Sequence, residues 1–227
     1  MRTISTVLFV SYVGVLVPLG SWRSMHQIRS ASRATIDRRQ LYLSAMIAQA
    51  LLFILAWMTA RAEQLRPLAV GRIGAGAIGI GVLWVAVKFA RFSMVMSRPG
   101  AYDKRPVLRA LAPGKPADYL PFTVVCVMAG LGEELAYRGV LFQLLTEWVG
   151  GWWIPALAVA IVFGAAHFAQ GEKAAAWAGL LGLGNQVVVL VTGTLWVAIV
   201  AHAVSDFIVG VTVATRMPRQ TTASADG

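Results

Sequence analysis

The stretch YLPFTVVCVMAGLGEELAYRGVLFQLLTEWV, residues 119–149, decides how this chain is read. Its flanks are composed for lipid, yet Glu133, Glu134 and Arg138 sit at its centre. An ionisable side chain within a membrane helix costs at least ~2.5–3.5 kcal/mol on insertion scales, and it persists where it faces a bundle interior and finds partners. The flanks therefore say what the solvent is, and the centre says where chemistry is to be sought.

The rest of the chain supports the lipid reading. Of its 227 residues, 58% are hydrophobic and 13% charged, whereas a soluble domain is about half apolar and about a quarter charged. A helix needs about 20 apolar residues to cross a bilayer core. The candidate spans are 4–20, 41–60, 73–95, 119–149, 151–168, 174–191 and 194–214. The expected fold is an all-α polytopic transmembrane helix bundle of about seven spans, with six the lower count. The run 119–149 is long for one straight crossing, and Pro121, Gly130 and Gly132 offer places for a break or a cytoplasmic lead-in. The run 4–20 has no small-residue cleavage site before the Arg-rich stretch that follows, so it reads as a retained span rather than a signal peptide. The runs GRIGAGAIGIG and GLLGLG suit close helix packing in lipid.

The organisation that follows is residues 1–118 as N-terminal transmembrane helices with basic loops, 119–214 as a core carrying the polar groups, and 215–227 as a disordered tail. The net charge of +10 does not point to nucleic acid, because the basic residues fall in the gaps between apolar runs. Arg23, Arg29, Arg33, Arg38 and Arg39 share one side with Arg91, Arg98, Lys104, Arg105, Arg109, Lys115, Lys173, Arg216 and Arg219. The other side has only Arg2, Arg61, Arg66 and Arg72. The positive-inside rule then expects the N-terminus outside and the C-terminus in the cytoplasm. The one cysteine, Cys126, allows no disulfide within the chain and reads as a small buried hydrophobe.

The polar residues have helical spacing. Glu134 and Arg138 are four apart and can pair on one face. Glu133 is rotated by roughly 100° from Glu134 and is left to point elsewhere, with Tyr137 four residues on as a hydrogen-bond candidate. In TLWVAIVAHAVSDF, His202 and Asp206 share a face, where a carboxylate fixes the imidazole tautomer. In VFGAAHF, Phe163 lies one turn before His167 and can wall a pocket.

Two chemistries fit this inventory. A carboxylate and an imidazole can deprotonate a water that attacks a peptide carbonyl, with histidine or amide donors on the oxyanion. Alternatively, Glu133, His167 and His202 can hold a divalent metal such as zinc with an open position. HExxH, the compact zinc-protease signal, is absent. Ser205 adjoins Asp206 but lacks a nucleophile-elbow context.

The order EExxxR, FxxxH, HxxxN/D on successive membrane helices resembles the CPBP family, which groups the type II CAAX prenyl endopeptidases with the bacteriocin-processing or Abi proteins. The motifs here are Glu133-Glu134 with Arg138, Phe163 with His167, and His202 with Asp206, and the resemblance covers about 119–214. It implies an all-helical intramembrane protease. Glu133 would activate water with His167, and His202 and Asp206 would stabilise the oxyanion or organise the site. Glu134 and Arg138 would support it. Asp206 stands where asparagine is common. An ionised Asp cannot donate to an oxyanion, so this departure favours an orienting role or a metal, and it draws the substrate away from prenylated proteins. The resemblance implies a peptide or membrane-protein substrate, lipid as surroundings and a bacterial plasma membrane as location. It leaves the cofactor (a divalent metal or none) and the oligomeric state open. Two other classes would use the same polar groups: a non-catalytic immunity or scaffold protein, and an ion or proton transporter.

Overall fold

A computed structural model describes residues 3–30, 37–68, 73–101 and 105–216. Arg2, Arg33, Arg72, Lys104, Arg219 and the expected tail from residue 217 onward lie outside the described residues. The described residues form helices and no strand: α1 Ile4–His26, α2 Arg38–Ala62, α3 Ala75–Met96, α4 Pro106–Leu111, α5 Pro116–Val149, α6 Trp153–Ala165, α7 Glu172–Thr192 and α8 Leu195–Arg216. All but α4 and α6 are long and apolar enough to cross a membrane, which gives six candidate spans. The chain is an all-α polytopic bundle.

Contacts between helix ends fix the direction of each pass. At one end, Arg38 Nε donates to the Ala112 carbonyl (3.2 Å) and Tyr42 Oη to the Leu111 carbonyl (3.0 Å). Phe92 and Met96 of α3 share a cluster there with Ala112 and with Val213 of α8. The Ala169 N–H donates to Ser21 Oγ of α1 at the same end. At the other end, the Thr3 N–H and hydroxyl donate to Glu63 Oε1, and Thr59 Oγ1 donates to the Ser5 carbonyl. Successive helices thus alternate between an end rich in Arg and Lys and an opposite end.

The run expected as a fifth span, 151–168, is shorter as a helix than its apolar length suggests. The 13 residues of α6 rise about 20 Å, short of the ~30 Å hydrocarbon core. The chain completes the pass through a turn at Ala166–His167 and a 3₁₀ turn, Phe168–Gln170. His167 therefore stands just beyond a helix end, not within a span.

Of the two readings of 119–149, a break or a lead-in, the described residues show no break and a 3₁₀ lead-in, Pro116–Asp118. Pro121 lies in the first turn of an α-helical segment, Tyr119–Glu133, where its missing N–H and fixed φ are tolerated. The helix runs on without a kink residue, and its irregularity is a π-helical stretch, Glu134–Leu141, every residue of which is buried. Such wide turns inside α-helices are uncommon and often mark functional sites. Gly130 and Gly132 act in packing rather than bending. A Cβ at Gly130 would stand 2.8 Å from the Ile199 carbonyl oxygen of α8, and one at Gly132 would stand 2.8 Å from Gln49 Oε1 of α2. In GLLGLG, Gly179 brings α7 equally close to the Ala160 carbonyl of α6. Cys126 is buried between Tyr42 and Phe122, as a small hydrophobe should be.

This packing predicts that Gly130→Val pushes α5 off α8 and costs about 1–3 kcal/mol. Thermal unfolding in detergent should show a lowered midpoint, whereas Gly76→Val, with open space around it, should leave the midpoint nearly unchanged.

Candidate active site

Glu134 is the most enclosed ionisable group of the cluster. Its side chain is 0% exposed, and its Oε1 accepts from three donors. Asn185 Nδ2 of α7 lies at 2.6 Å, His202 Nδ1 of α8 at 2.7 Å and Arg138 Nη1, one turn further on α5, at 3.4 Å. The expected Glu134–Arg138 pair is present, but it is the longest of the three contacts. Asn185 is in turn held by α3, because its Oδ1 accepts from Trp84 Nε1 at 2.5 Å. A buried carboxylate is tolerated when its charge is met by hydrogen bonds and counter-charges. Here they arrive from its own helix and from α7 and α8, with α3 joined through Asn185.

Glu133 is turned toward α2. Its Oε1 accepts from Gln49 Nε2 at 2.7 Å, a contact made possible by the missing side chain at Gly132. Its Oε2 has no protein hydrogen-bond partner and lies 3.7 Å from His202 Nε2. The partner expected for Glu133, Tyr137, is engaged otherwise. Its ring is buried and packs edge-on against Phe163, with centroids 4.9 Å apart.

His202 is enclosed by carboxylates. With Nδ1 on Glu134, its Nε2 faces Glu133 Oε2 at 3.7 Å and Asp206 Oδ2 at 3.4 Å. The pairing expected from the four-residue spacing is therefore formed. Asp206 is the outermost member, with its side chain 47% exposed.

Phe163 links His167 to His202 and Arg138. Its ring lies 4.5 Å from the His167 ring and 6.5 Å from the His202 ring, and Arg138 Cζ sits 4.2 Å above its face. The Phe163 carbonyl oxygen is 2.8 Å from His167 Nδ1. A carbonyl only accepts, so Nδ1 carries the proton and a neutral His167 keeps a lone pair at Nε2. His167 is also within Coulombic reach of Asp206. Ser205 donates to the Ala201 carbonyl of its own helix at 2.5 Å, which occupies its hydroxyl locally.

Four residues of this cluster have no place in the motif pattern: Gln49, Trp84, Lys88 and Asn185. Asn185 and Gln49 are amides in apolar runs, which was the available signal. Trp84 and Lys88 lie one turn apart on α3. The charged groups around Lys88 are Asp206, Glu134, Arg138 and Glu133, with Asp206 exerting the largest pull.

Among the described residues, no group of three or more His, Cys, Asp or Glu side chains is arranged to hold a metal ion. In the set expected for that role, His202 Nδ1 is committed to Glu134 and His167 Nδ1 to a backbone carbonyl, and neither bond uses Nε2.

Fold and site together define an integral membrane protein with a carboxylate–imidazole cluster inside its helix bundle. Residues 115–208 match the family model described as Type II CAAX prenyl endopeptidase Rce1-like. The match starts just before α5 and ends beyond Asp206, so it takes in all three motifs. This part of the chain is similar to that family, in agreement with the resemblance drawn from the motifs, and the match supports an intramembrane endopeptidase at family level. No curated protein and no solved structure matches the chain.

The network around Glu134 predicts that Asn185→Leu strands the Trp84 N–H and weakens the hold on Glu134, at about 1–3 kcal/mol. The melting midpoint in detergent should fall. Adding Trp84→Phe should then cost little more, because the two residues share one hydrogen bond.

Proposed function

We propose that the protein hydrolyses a peptide bond by attack of a water held between Glu133 and His167. The observation that carries this reading is the unequal state of two adjacent carboxylates. Glu134 Oε1 is bound by three donors, whereas Glu133 Oε2 is unclaimed beside an imidazole nitrogen. A general base needs an oxygen that can take a proton. Glu134 Oε2 also lacks a partner, but its side chain is 0% exposed and its other oxygen anchors the network, whereas the Glu133 side chain is 13% exposed.

In this mechanism Glu133 removes a proton from the water, and His167 Nε2 orients the same water through its lone pair. The hydroxide adds to the scissile carbonyl carbon and the carbonyl electrons move to oxygen. A proton held on His202 Nε2 donates to that oxyanion. Collapse breaks the C–N bond, and Glu133 returns its proton to the leaving amine. Asp206 and Glu134 fix the His202 ring from its two nitrogens, which assigns Asp206 an orienting role. Arg138 and Phe163 hold the cluster's inner side, with Tyr137 behind Phe163. No step passes through a metal. The substrate class is a peptide, or the end of a membrane protein, presented at the membrane. By the positive-inside rule, the Arg- and Lys-rich end of the bundle faces the cytoplasm, and α1 begins outside.

Reconstituted protein is expected to cleave members of a quenched fluorescent peptide library. Glu133→Gln and His167→Ala should each lower kcat by about 10²–10⁴-fold, the range for loss of acid–base help, while the melting midpoint stays near that of the unaltered protein. Cleavage at the unaltered rate by either variant would refute the assignment.

A further inference from the structure

We infer that Lys88 is the counter-charge of Asp206, a positioning residue supplied from α3 that lets an aspartate stand at the end of the third motif. The activity arm of this inference rests on the endopeptidase reading above.

The placement follows from two parallel helices. Both α3 and α8 run toward the Arg- and Lys-rich end. At their starts they touch at Gly81 and Val197, where a Cβ on Gly81 would stand 2.9 Å from Val197 Cγ1. Toward their ends, Phe92 and Met96 share a cluster with Val209 and Val213. Lys88 lies between these levels, and so does Asp206. The facing direction comes from the hydrogen bonds. Trp84 on α3 reaches His202 on α8 through Asn185 and Glu134. One turn further along each helix, on the same face, stand Lys88 and Asp206. The two side chains are also within Coulombic reach of each other. The next basic residue on this face, Arg91, is stacked 4.0 Å over the Trp177 ring of α7 and serves elsewhere.

The charges of the cluster explain the need. Glu133, Glu134 and Asp206 are three acidic groups, against which Arg138 and a His202 protonated at both nitrogens are the cations inside the motifs, one short of balance. In a low-dielectric bundle an uncompensated carboxylate is costly and pulls its neighbours out of place. Free of Lys88, Asp206 would draw His202 away from Glu133. With an asparagine at 206, Lys88 would have lost its main partner. The two side chains are one solution to a position that a neutral amide fills alone.

The test is a cycle of Lys88→Met, Asp206→Asn, the double variant and Lys88→Arg. Each is reconstituted and measured for peptide cleavage and for melting midpoint in detergent. Each single charge removal should lower kcat by about tenfold with KM nearly constant, and the double variant should recover to within about threefold, the pattern of a coupled pair. Lys88→Arg should keep most of the rate. The midpoints should show the same recovery, and if Lys88→Met fails to fold, restored folding on adding Asp206→Asn is the same result. Wild-type cleavage by Lys88→Met, or a double variant no better than the worse single one, overturns the inference. If the unaltered protein cleaves nothing, the endopeptidase reading falls, and recovery or its absence in the midpoints alone decides the charge pair.

Discussion

The bundle is organised around a single carboxylate oxygen. Glu134 Oε1 accepts from Asn185, His202 and Arg138. In water three such bonds would be exchanged for bonds to solvent at little gain. Among lipid-facing helices the exchange is unavailable, so a missing donor leaves a charge without solvation. The consequence reaches beyond the site. Helices in lipid have no hydrophobic drive to associate and rely on close packing and polar contacts. Glu134 ties α5 to α7 and α8, and through Asn185 and Trp84 to α3. Gln49 and Glu133 add α2. The glycine contacts bring backbones near, and the polar network decides which rotation of each helix is the right one.

Placing two glutamates side by side on one helix serves this division. Neighbouring residues project about 100° apart, so one carboxylate cannot reach the partners of the other. Glu134 points to α7 and α8, where the donors are plentiful. Glu133 points to α2, where one amide takes one oxygen and leaves the other to chemistry. The stretch from Glu134 to Leu141 is π-helical, which offsets the later residues from α-helical register and sets Arg138 above the Phe163 ring. The same arginine thus closes the structural network and lines the cluster.

The motif-bearing half was legible because its chemistry conflicts with its solvent. A charge in an apolar run is visible without a structure, and the four-residue spacing of Glu134 with Arg138 and of His202 with Asp206 maps onto contacts that form. What was hidden came from tertiary partners. Tyr137 has the right spacing to bond Glu133, yet Gln49 arrives from another helix through the gap at Gly132 and takes that place. Pro121 and the glycines look like helix breakers, but a proline in a first turn breaks nothing, and the glycines answer to neighbouring backbones. The run 151–168 has the apolar length of a span, but its helix stops at Ala165 and hands His167 to a turn. Lys88 and Trp84 belong to the N-terminal half, where no motif directs attention. Hydrophobic patterning reports which residues face lipid, and it says little about which helix a polar side chain will meet.

Exposure within the cluster is graded, and the gradient bears on how water enters. The Glu134 side chain is 0% exposed, His202 9%, Glu133 13% and Asp206 47%. The increase along α8 from His202 to Asp206 points toward the Arg- and Lys-rich end, where the turn holding His167 also lies. Hydrating the Glu134 oxygen would weaken the bonds that hold four helices together. Nearest neighbours in sequence would ordinarily share their solvation. Here the rotation of about 100° between them leaves the Glu134 side chain fully enclosed and the Glu133 side chain 13% exposed.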